Sequence, residues 1–472
     1  MKNFVAGNWI DKSKKIDVKN PFDDSVIDTV PRADAGDLEK ALAFAERGAK
    51  VMAKLSSYER WKILRKAADM MAARNEELGQ LISKEEGKII AEGRLEASRA
   101  VETIMGSAEE AKRLHGETVP LESDPGGAKK LGFTLRVPCG VVAAISPFNF
   151  PLNLVCHKVG PALAAGNSVI VKPASDTPLS ALKLTEILLE AGLPSEGVQC
   201  ITGSGGEIGD ALVADRRVRK ITFTGSREIG DRICRMAGIK KVTMELGSNC
   251  PLIVMPDADL DKVAAAVAAT GYANAGQVCI STQRVLTSGK VYSDFLSVLK
   301  PKVEALVTGN QLDERTKVGP MVREADAIRV DSWVKEAVNA GARLVVGGSR
   351  RGAVYTPTVV ADVKPEMRIS CDELFGPAVG VTPFNTIEEA IAFANDSVYG
   401  LAAGIFTENV EWAMKFAREA EAGNLHINWG PQWRADLMPY GGLKDSGFGK
   451  EGPRYAVQEM TELKMVVFHL NS

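Results

Sequence analysis

The spacing of apolar residues divides the chain into stretches with different secondary structure. Residues 34–115 are rich in Ala, Glu, Lys and Arg, and apolar side chains recur there at helical spacing. Leu38, Leu42 and Ala45, for example, share one helix face. The pattern predicts a group of amphipathic helices that serve as scaffold.

From residue 137 onward, short apolar runs alternate with helical stretches. The runs are 141–145, 168–171, 198–201, 220–223, 242–245 and 252–255. The helical stretches between them are 180–191, 206–214 and 228–237. Strands that alternate with helices predict a parallel sheet buried on both faces, which binds ligands beyond the carboxyl ends of its strands.

A second alternation covers roughly the stretch from 259 to 423 and predicts another α/β domain. Its helices are expected at 259–274, 333–340, 385–394 and 410–420, and its strands at 343–346 and 401–406. Segment 123–130 is expected to be a turn that joins two strands. The β-prone run 465–469 is suited to extending a neighbouring sheet.

Composition sets the class of protein. The 472 residues are 45% hydrophobic and 25% charged, which is typical of a globular protein of two or three domains. Lys and Arg number 58 against 60 Asp and Glu, and a net charge of −2 argues against nucleic acid as the main partner. Residues 1–17 do not resemble a signal peptide, and no apolar run is long enough for a membrane span. We therefore expect a cytoplasmic protein without a membrane partner.

The seven cysteines are widely spaced without a C-x-x-C pair, and the four histidines form no cluster. A disulfide framework is therefore not expected, and neither is a metal site. Most isolated cysteines are buried as small apolar side chains, so a catalytic cysteine needs supporting residues.

Three residues could carry nucleophilic chemistry. Cys279 follows an Ala-rich helix, and Glu245 ends a predicted strand, where ligands of a parallel sheet bind. Asn149 lies between Pro147 and Pro151, which restrict the backbone around its amide. The alternative interpretations are a buried cysteine, a solvated strand end and an ordinary turn asparagine.

Three strand ends have features suited to a nucleotide. The loop 202–209 contains Gly203, Gly205, Gly206 and Gly209, close to the dinucleotide fingerprint but imperfectly spaced. Segment 223–226 follows a strand, and its serine can cap the next helix and present N–H groups to a phosphate. Segment 172–175 ends a third strand.

These segments belong to an ordered set of motifs that resembles the aldehyde dehydrogenase superfamily over essentially the whole chain. The motifs are PFNFP at 147–151, KPAS at 172–175, FTGS at 223–226, ELG at 245–247, GQVC at 276–279, ELFGP at 373–377 and PYGGLKDSG at 439–447. The resemblance implies an α/β fold with a Rossmann-like cofactor domain (1–120 and 138–247) and a second α/β catalytic domain (248–427). It also implies small β segments for oligomerisation (121–137 and 428–472) and a homodimer or homotetramer.

The resemblance also implies the chemistry. Cys279 would attack an aldehyde to form a thiohemiacetal, whose oxyanion is held by the Asn149 amide and the Cys279 backbone N–H. A hydride then passes to NAD or NADP, and Glu245 activates the water that hydrolyses the thioester.

The resemblance assigns cofactor contacts to residues at five strand ends and one later loop. Lys172 matches the adenosine-ribose contact, Ser226 the pyrophosphate contact, and Glu373 and Phe375 the nicotinamide contacts. The full set implied is Ile145, Lys172, Ser175, Gly205, Gly209, Phe223, Gly225, Ser226, Ile229, Leu246, Glu373 and Phe375.

The chain departs from the family pattern at two positions. Ser248 stands where a second glycine is usual, and relatives share such exceptions. Ser175 replaces an acid that would repel a 2′-phosphate, so the sequence leaves NAD and NADP both open.

By resemblance, the aldehyde tunnel is lined by Arg99, Phe150, His157, Ile280 and Arg434. Two arginines and a histidine favour a small anionic aldehyde, because an unpaired guanidinium in a closed tunnel is costly without an anion. The alternative is that the arginines pair with nearby acids such as Glu96 or Asp436.

Phosphonoacetaldehyde is our first expectation for the substrate, with sulfoacetaldehyde, lactaldehyde and succinate semialdehyde as alternatives. A CoA-acylating enzyme usually lacks the glutamate base, so Glu245 argues against that class. A non-catalytic binding protein on the same fold is also disfavoured, because Cys279, Glu245 and Asn149 are all present.

Overall fold

A computed structural model describes residues 1–470. Four short strands come first, followed by four helices and two further strands. In chain order these are β1 (Asn3–Val5), β2 (Asn8–Ile10), β3 (Lys15–Lys19), β4 (Val26–Pro31), α1 (Ala35–Met52), α2 (Ser57–Ala73), α3 (Asn75–Glu86), α4 (Ile90–Arg113), β5 (Thr118–Val119) and β6 (Lys130–Pro138). The helical group is confirmed, whereas the four N-terminal strands were not predicted because each is short and only partly apolar.

The apolar run 252–255 was predicted to join the first parallel sheet but pairs in the second sheet, because a short apolar run does not specify its partner strands. The other five runs of the first predicted alternation form one sheet. Its elements are β7 (Val141–Ile145), α5 (Asn153–Ala164), β8 (Ser168–Lys172), α6 (Leu179–Glu190), β9 (Val198–Cys200), α7 (Asp210–Ala214), β10 (Val218–Thr224), α8 (Arg227–Ala237) and β11 (Lys241–Glu245). The helix expected at 206–214 instead begins as a π-helical turn, Gly205–Gly209, before α7. Glycine-rich backbone departs readily from regular helix geometry.

The second alternation and the tail contain more elements than predicted. They are β12 (Pro251–Val254), α9 (Leu260–Thr270), β13 (Arg284–Ser288), α10 (Tyr292–Glu304), α11 (Glu324–Asn339), β14 (Arg343–Val346), β15 (Arg350–Arg351), β16 (Val354–Tyr355), β17 (Thr358–Ala361), α12 (Arg368–Cys371), β18 (Ala378–Phe384), α13 (Ile387–Asn395), β19 (Tyr399–Gly400), β20 (Ala402–Phe406), α14 (Val410–Glu419), β21 (Asn424–Ile427), β22 (Leu443–Lys444), β23 (Gly447–Phe448), α15 (Pro453–Glu459) and β24 (Thr461–His469). The helix expected at 259–274 ends at Thr270, and the one expected at 333–340 starts at Glu324.

Two large sheets carry the fold. The first has the order β2-β1-β9-β8-β7-β10-β11-β23, and its five central strands from β9 to β11 run parallel. The second has the order β14-β17-β18-β13-β12-β20-β21 and is parallel except at β14. Each sheet has helices packed against it and its own buried apolar clusters. The predicted fold class is confirmed, while the domain boundaries remain a prediction.

A third, antiparallel sheet has the order β24-β6-β5. The turn predicted at 123–130 lies between its strands β5 and β6, after a short 3-10 turn. The tail strand pairs with β6 of its own chain, from Thr461 opposite Pro138 to His469 opposite Lys130.

Candidate active site

Cys279 lies in the connection between α9 and β13, shortly after a 3-10 turn at Ala273–Gly276. Asn274 and Ala275 of that turn have φ angles of 49° and 52°, so the chain reverses sharply before the thiol. Cys279 Sγ lies 3.1 Å from the hydroxyl of Tyr440. Desolvation by the surrounding protein raises the pKa of Cys279 to about 12, so the resting group at neutral pH is a thiol.

Asn149 follows β7 and is tied directly to the segment that carries the thiol. Its side-chain Nδ2 donates to the carbonyl of Gln277 at 2.9 Å. An amide has two N–H donors, and this bond uses one of them. The second N–H is left for a ligand, and its use by an oxyanion beside Cys279 stays a prediction.

Glu245 is the last residue of β11, beside Thr224 of β10 and Gly447 of β23. Its side chain is buried, and neither carboxyl oxygen has a hydrogen-bond partner among residues 1–470. Burial, reinforced by repulsion from Glu451, raises the pKa of Glu245 well above its ordinary value. The alternative of a solvated strand end is therefore wrong.

A cavity of about 710 Å³ opens at the carboxyl ends of β7, β8, β10 and β11 and reaches Cys279 and Asn149. Nearly all of the predicted cofactor residues line it, namely Ile145, Lys172, Gly205, Gly209, Phe223, Gly225, Ser226, Ile229, Leu246, Glu373 and Phe375. Ser175 is the exception, since it lies beside the cavity lining, with its hydroxyl donating to the Gly203 carbonyl at 3.3 Å.

The lining fits a dinucleotide. The Lys172 ammonium is buried, and its one hydrogen bond in the described chain is to the Pro173 carbonyl at 3.3 Å. Ser226 caps α8 by accepting from the Ile229 N–H at 3.4 Å, and a capped helix start presents further N–H groups to a phosphate. A Cβ placed on Gly205 would meet only open space, so the loop leaves room for a ligand.

Glu373 and Phe375 line the same cavity. Glu373 accepts a hydrogen bond from the Ser248 N–H at 2.9 Å. Ser248 stands where a second glycine is usual, and its backbone N–H makes this hydrogen bond without one. Burial raises the pKa of Glu373 to about 7. The ring of Phe375 lies edge-on to Phe148, with 5.9 Å between the centroids.

On the other side of the thiol lies a chain of charged side chains that we call the arginine cluster, formed by Arg99, Asp436, His157, Arg434, Glu451 and Lys158. Arg99 donates to Asp436 at 2.9 and 3.1 Å, and His157 Nε2 lies 3.0 Å from the same carboxylate. Arg434 lies 3.2 Å from His157 Nδ1.

The cluster continues into the protein interior. Arg434 donates to Glu451 at 3.0 Å, and Lys158 donates to the other oxygen of Glu451 at 2.9 Å. Lys158 also donates to Thr224 at 2.6 Å, beside Glu245 in the sheet. The guanidinium of Arg434 stacks on the Tyr440 ring, 3.9 Å from its centroid.

The expectation that Arg99 and Arg434 are unpaired is wrong in this structure. Asp436 pairs with Arg99, as one alternative held, but Glu96 binds Lys88 instead, and Arg434 pairs with Glu451. Buried guanidinium groups require such partners, because desolvation of an unpaired charge is costly. One donor is left over, since Arg434 Nε is buried without a hydrogen-bond partner within residues 1–470.

The pKa values in the cluster favour a neutral histidine between fixed charges. Burial and the positive charge of Arg434 lower the pKa of His157 to about 4. Burial disfavours ionised Glu451, but Lys158 and Arg434 outweigh it and lower the pKa of Glu451 to about 2. Arg434 therefore keeps its charge against the ring of Tyr440, whose hydroxyl contacts Cys279.

Sequence reasoning missed Tyr440, Glu451 and Lys158, and it named Asp436 only as a possible partner of the arginines. Tyr440 lies within a motif that was noticed, but no role was given to its hydroxyl. Lys158 and Glu451 are 293 residues apart in sequence, so no local pattern could join them. The predicted tunnel residues Phe150 and Ile280 pack with Tyr440 in one apolar cluster around Cys279.

The fold and site together define an α/β protein in which a cysteine thiol lies between a cavity that fits a dinucleotide and a cluster of charged side chains. Residues 9–466 match the aldehyde dehydrogenase family, and the chain belongs to it. It is an NAD(P)-dependent aldehyde dehydrogenase, which confirms the predicted enzyme class and the prediction of NAD or NADP as cofactor.

Individual relatives align over nearly their whole length. The chain is 49% identical over 467 residues to a 3-sulfolactaldehyde dehydrogenase of Priestia aryabhattai, covering 99% of this chain and 98% of the relative. It is 39% identical over 470 residues to a lactaldehyde dehydrogenase of Methanococcus maripaludis, covering 99% of each.

The fold also matches solved structures closely. Aldehyde dehydrogenase 21 of Physcomitrella patens, solved with the reaction product succinate, superimposes with a TM-score of 0.96 at 39% identity. The match covers 99% of this chain and 98% of that one. Within residues 1–470, no helix is long and apolar enough to cross a membrane.

Proposed function

We propose that this aldehyde dehydrogenase oxidises a small anionic aldehyde to its carboxylate, and that 3-sulfolactaldehyde is the first substrate to test. The observation that carries the anionic class is Arg434. Its guanidinium is 94% buried, stacks on Tyr440 next to the nucleophile, and keeps one N–H without a partner in the described chain. A sulfonate, phosphonate or carboxylate supplies the acceptor that this donor lacks.

The choice among anions follows the relatives. A protein 49% identical over nearly the whole chain is named for 3-sulfolactaldehyde, and a solved relative holds succinate. Phosphonoacetaldehyde, which the sequence favoured, offers the same anionic chemistry but has no such support, so we rank it second. Lactaldehyde is the uncharged alternative.

In the proposed mechanism, Cys279 gives up its thiol proton to water, and Sγ attacks the aldehyde carbon to form the oxyanion of a thiohemiacetal. The free N–H of Asn149 and the Cys279 backbone N–H hold the oxyanion. NAD or NADP, held by the cavity that Lys172, Ser226 and Glu373 line, would supply the acceptor for the hydride that leaves this carbon as the thioester forms. Glu245 then takes a proton from water, and the hydroxide attacks the thioester and releases the carboxylate together with the Cys279 thiolate.

The substrate proposal is tested by measuring kcat/KM with 3-sulfolactaldehyde, phosphonoacetaldehyde, lactaldehyde and propanal under identical conditions. We expect kcat/KM to fall in the order 3-sulfolactaldehyde, phosphonoacetaldehyde, lactaldehyde, propanal. The two charged aldehydes should have values at least about tenfold higher than the two uncharged ones. Equal kcat/KM for 3-sulfolactaldehyde and propanal would overturn the anionic class. A preference for lactaldehyde would replace it with the uncharged alternative.

We further propose a homodimer or homotetramer in which the β24-β6-β5 sheet bridges subunits. Leu131, Leu135, Leu463 and Met465 are each exposed by 45% or more on this sheet, an apolar surface suited to a second copy. Leu463→Lys should shift sedimentation velocity towards monomer, and an unchanged profile would remove this sheet from the interface.

A cytoplasmic location is proposed because the Cys279 nucleophile must stay reduced.

A further inference from the structure

The backbone of Asn149 is held by two buried side chains that the mechanism above does not use. Lys88 Nζ donates to the Asn149 carbonyl at 2.7 Å, and Asn274 Nδ2 donates to the same carbonyl at 3.2 Å. Lys88 is 1% exposed and Asn274 is 4% exposed. Both side chains therefore bind the backbone carbonyl of the residue that is proposed to bind the oxyanion through its side chain.

Lys88 forms an ion pair with Glu96, and the two side chains also bind the residues after Asn149. Its ammonium lies 2.7 Å from Glu96 Oε2, and the other oxygen of Glu96 accepts from the N–H groups of Leu152 and Asn153 at 2.9 and 3.0 Å. The same ammonium lies 3.9 Å above the ring of Phe150. One buried pair thus fixes four of the five residues 149–153.

Asn274 connects these contacts to the segment that carries Cys279. It lies in the left-handed turn before Cys279, where its side chain donates to Glu86 Oε1 at 2.9 Å and its backbone N–H is held by both oxygens of Glu92. Glu86 also accepts from the Lys88 backbone N–H at 2.9 Å. The connection between α3 and α4 therefore holds the oxyanion donor and the nucleophile loop at once.

We propose that Lys88 and Asn274 are positioning residues. By holding the backbone of Asn149, they set the distance between its side-chain N–H and the oxyanion that forms when Cys279 attacks the aldehyde. Oxyanion donors act only when they are preorganised at hydrogen-bond distance from the developing charge, and a misplacement of about 1 Å can cost roughly 100-fold in rate. The inference rests on the proposed role of Asn149.

The experiment measures the single-turnover burst of reduced cofactor with propanal and NAD. Asn274→Gly deletes the side chain but tolerates the positive φ, and Lys88→Met with Glu96→Gln removes the ion pair without leaving one charge unpaired. Each should slow the burst roughly 10- to 100-fold. Lys88→Arg keeps a donor and should recover most of the rate.

Readouts other than rate separate positioning from stability. NADH dissociation constants and the rate of Cys279 alkylation by iodoacetamide should change less than about twofold. The matched control is Asn167→Ala, a buried asparagine whose side chain bonds Gly140, Ala162 and Met460 instead of the site. If this control slows the burst as much as Asn274→Gly does at the same loss of thermal stability, the positioning role is wrong.

A double-mutant cycle gives the decisive comparison. In an Asn149→Ala background, whose side-chain donor is gone, Asn274→Gly should cost less than about threefold, because it acts through that donor. If Asn274→Gly slows the burst in this background as much as it does in the wild type, the inference is wrong. If Asn149→Ala alone leaves the burst unchanged, the proposed oxyanion role fails instead, so the two failures are distinguishable.

Discussion

The two sides of Cys279 are built on different physical principles. On one side, the cofactor cavity is formed by strand ends, glycines and a helix start, and it leaves an open volume of about 710 Å³. On the other, the arginine cluster is packed with side chains whose charges are satisfied by one another. Backbone geometry therefore shapes the cavity, whereas side-chain charge shapes the arginine cluster, which we propose distinguishes substrates.

This difference changes what a substitution should do. In the cavity, a ligand meets N–H groups and open space, so single side-chain changes adjust affinity in modest steps. In the arginine cluster, removal of one charge leaves a buried partner unpaired, so effects are larger and depend on neighbours.

The largest expected effect lies at the boundary between the two regions. Cys279→Ala should reduce aldehyde oxidation by roughly 10⁴-fold or more, because the covalent step that precedes hydride loss disappears. Cofactor binding, measured by fluorescence titration with NADH, should be retained. Turnover close to that of the wild type would remove Cys279 from the mechanism.

Glu245 tests the step after hydride transfer. Glu245→Gln should release one equivalent of reduced cofactor in a burst and then slow steady-state turnover about 10²- to 10⁴-fold. Because burial raises its pKa, the carboxylate base forms only as pH rises, so wild-type deacylation should increase with pH. The variant should lose this pH dependence, and equal loss of burst and turnover would instead place Glu245 in thiol activation.

Arg434 tests the arginine cluster. Arg434→Leu should lower kcat/KM for 3-sulfolactaldehyde by roughly 10- to 150-fold, equivalent to about 1.5–3 kcal/mol for charge-assisted bonds. Activity on propanal should be kept or improved. Arg99→Leu is the comparison, since Arg99 is 27% exposed and bound by Asp436, and it should cost less. Parallel losses for both aldehydes would mean that Arg434 only holds the fold.

Ser175 tests the cofactor side and should give the smallest effect. Ser175→Glu should raise the KM for NADP about fivefold relative to that for NAD, because like charges a few ångströms apart in water repel by about 1 kcal/mol. Steady-state kinetics with each cofactor measure the ratio. A parallel change for NAD and NADP would show that Ser175 does not discriminate the 2′-phosphate.

Much of the cavity could be predicted because its determinants are local in sequence. A strand that ends in Phe223-Thr224-Gly225-Ser226 and continues into a helix places its N–H groups by backbone geometry alone. The ordered motifs then placed Cys279, Asn149 and Glu245, and the fold brings the first two together through the bond from Asn149 to Gln277.

The ion pairs around the thiol were decided by tertiary structure. Arg99 meets Asp436 across 337 positions of sequence, and Lys158 meets Glu451 across 293, so no periodicity or spacing could reveal either pair. The alternation of strands and helices in the sequence supports the fold class, because it depends on short segments with their own conformational preferences. The predicted nucleophile and cofactor contacts come from the motifs that resemble the aldehyde dehydrogenase superfamily. Whether a buried arginine is free for substrate depends on which distant acid packs against it, and only the assembled sheets determine that.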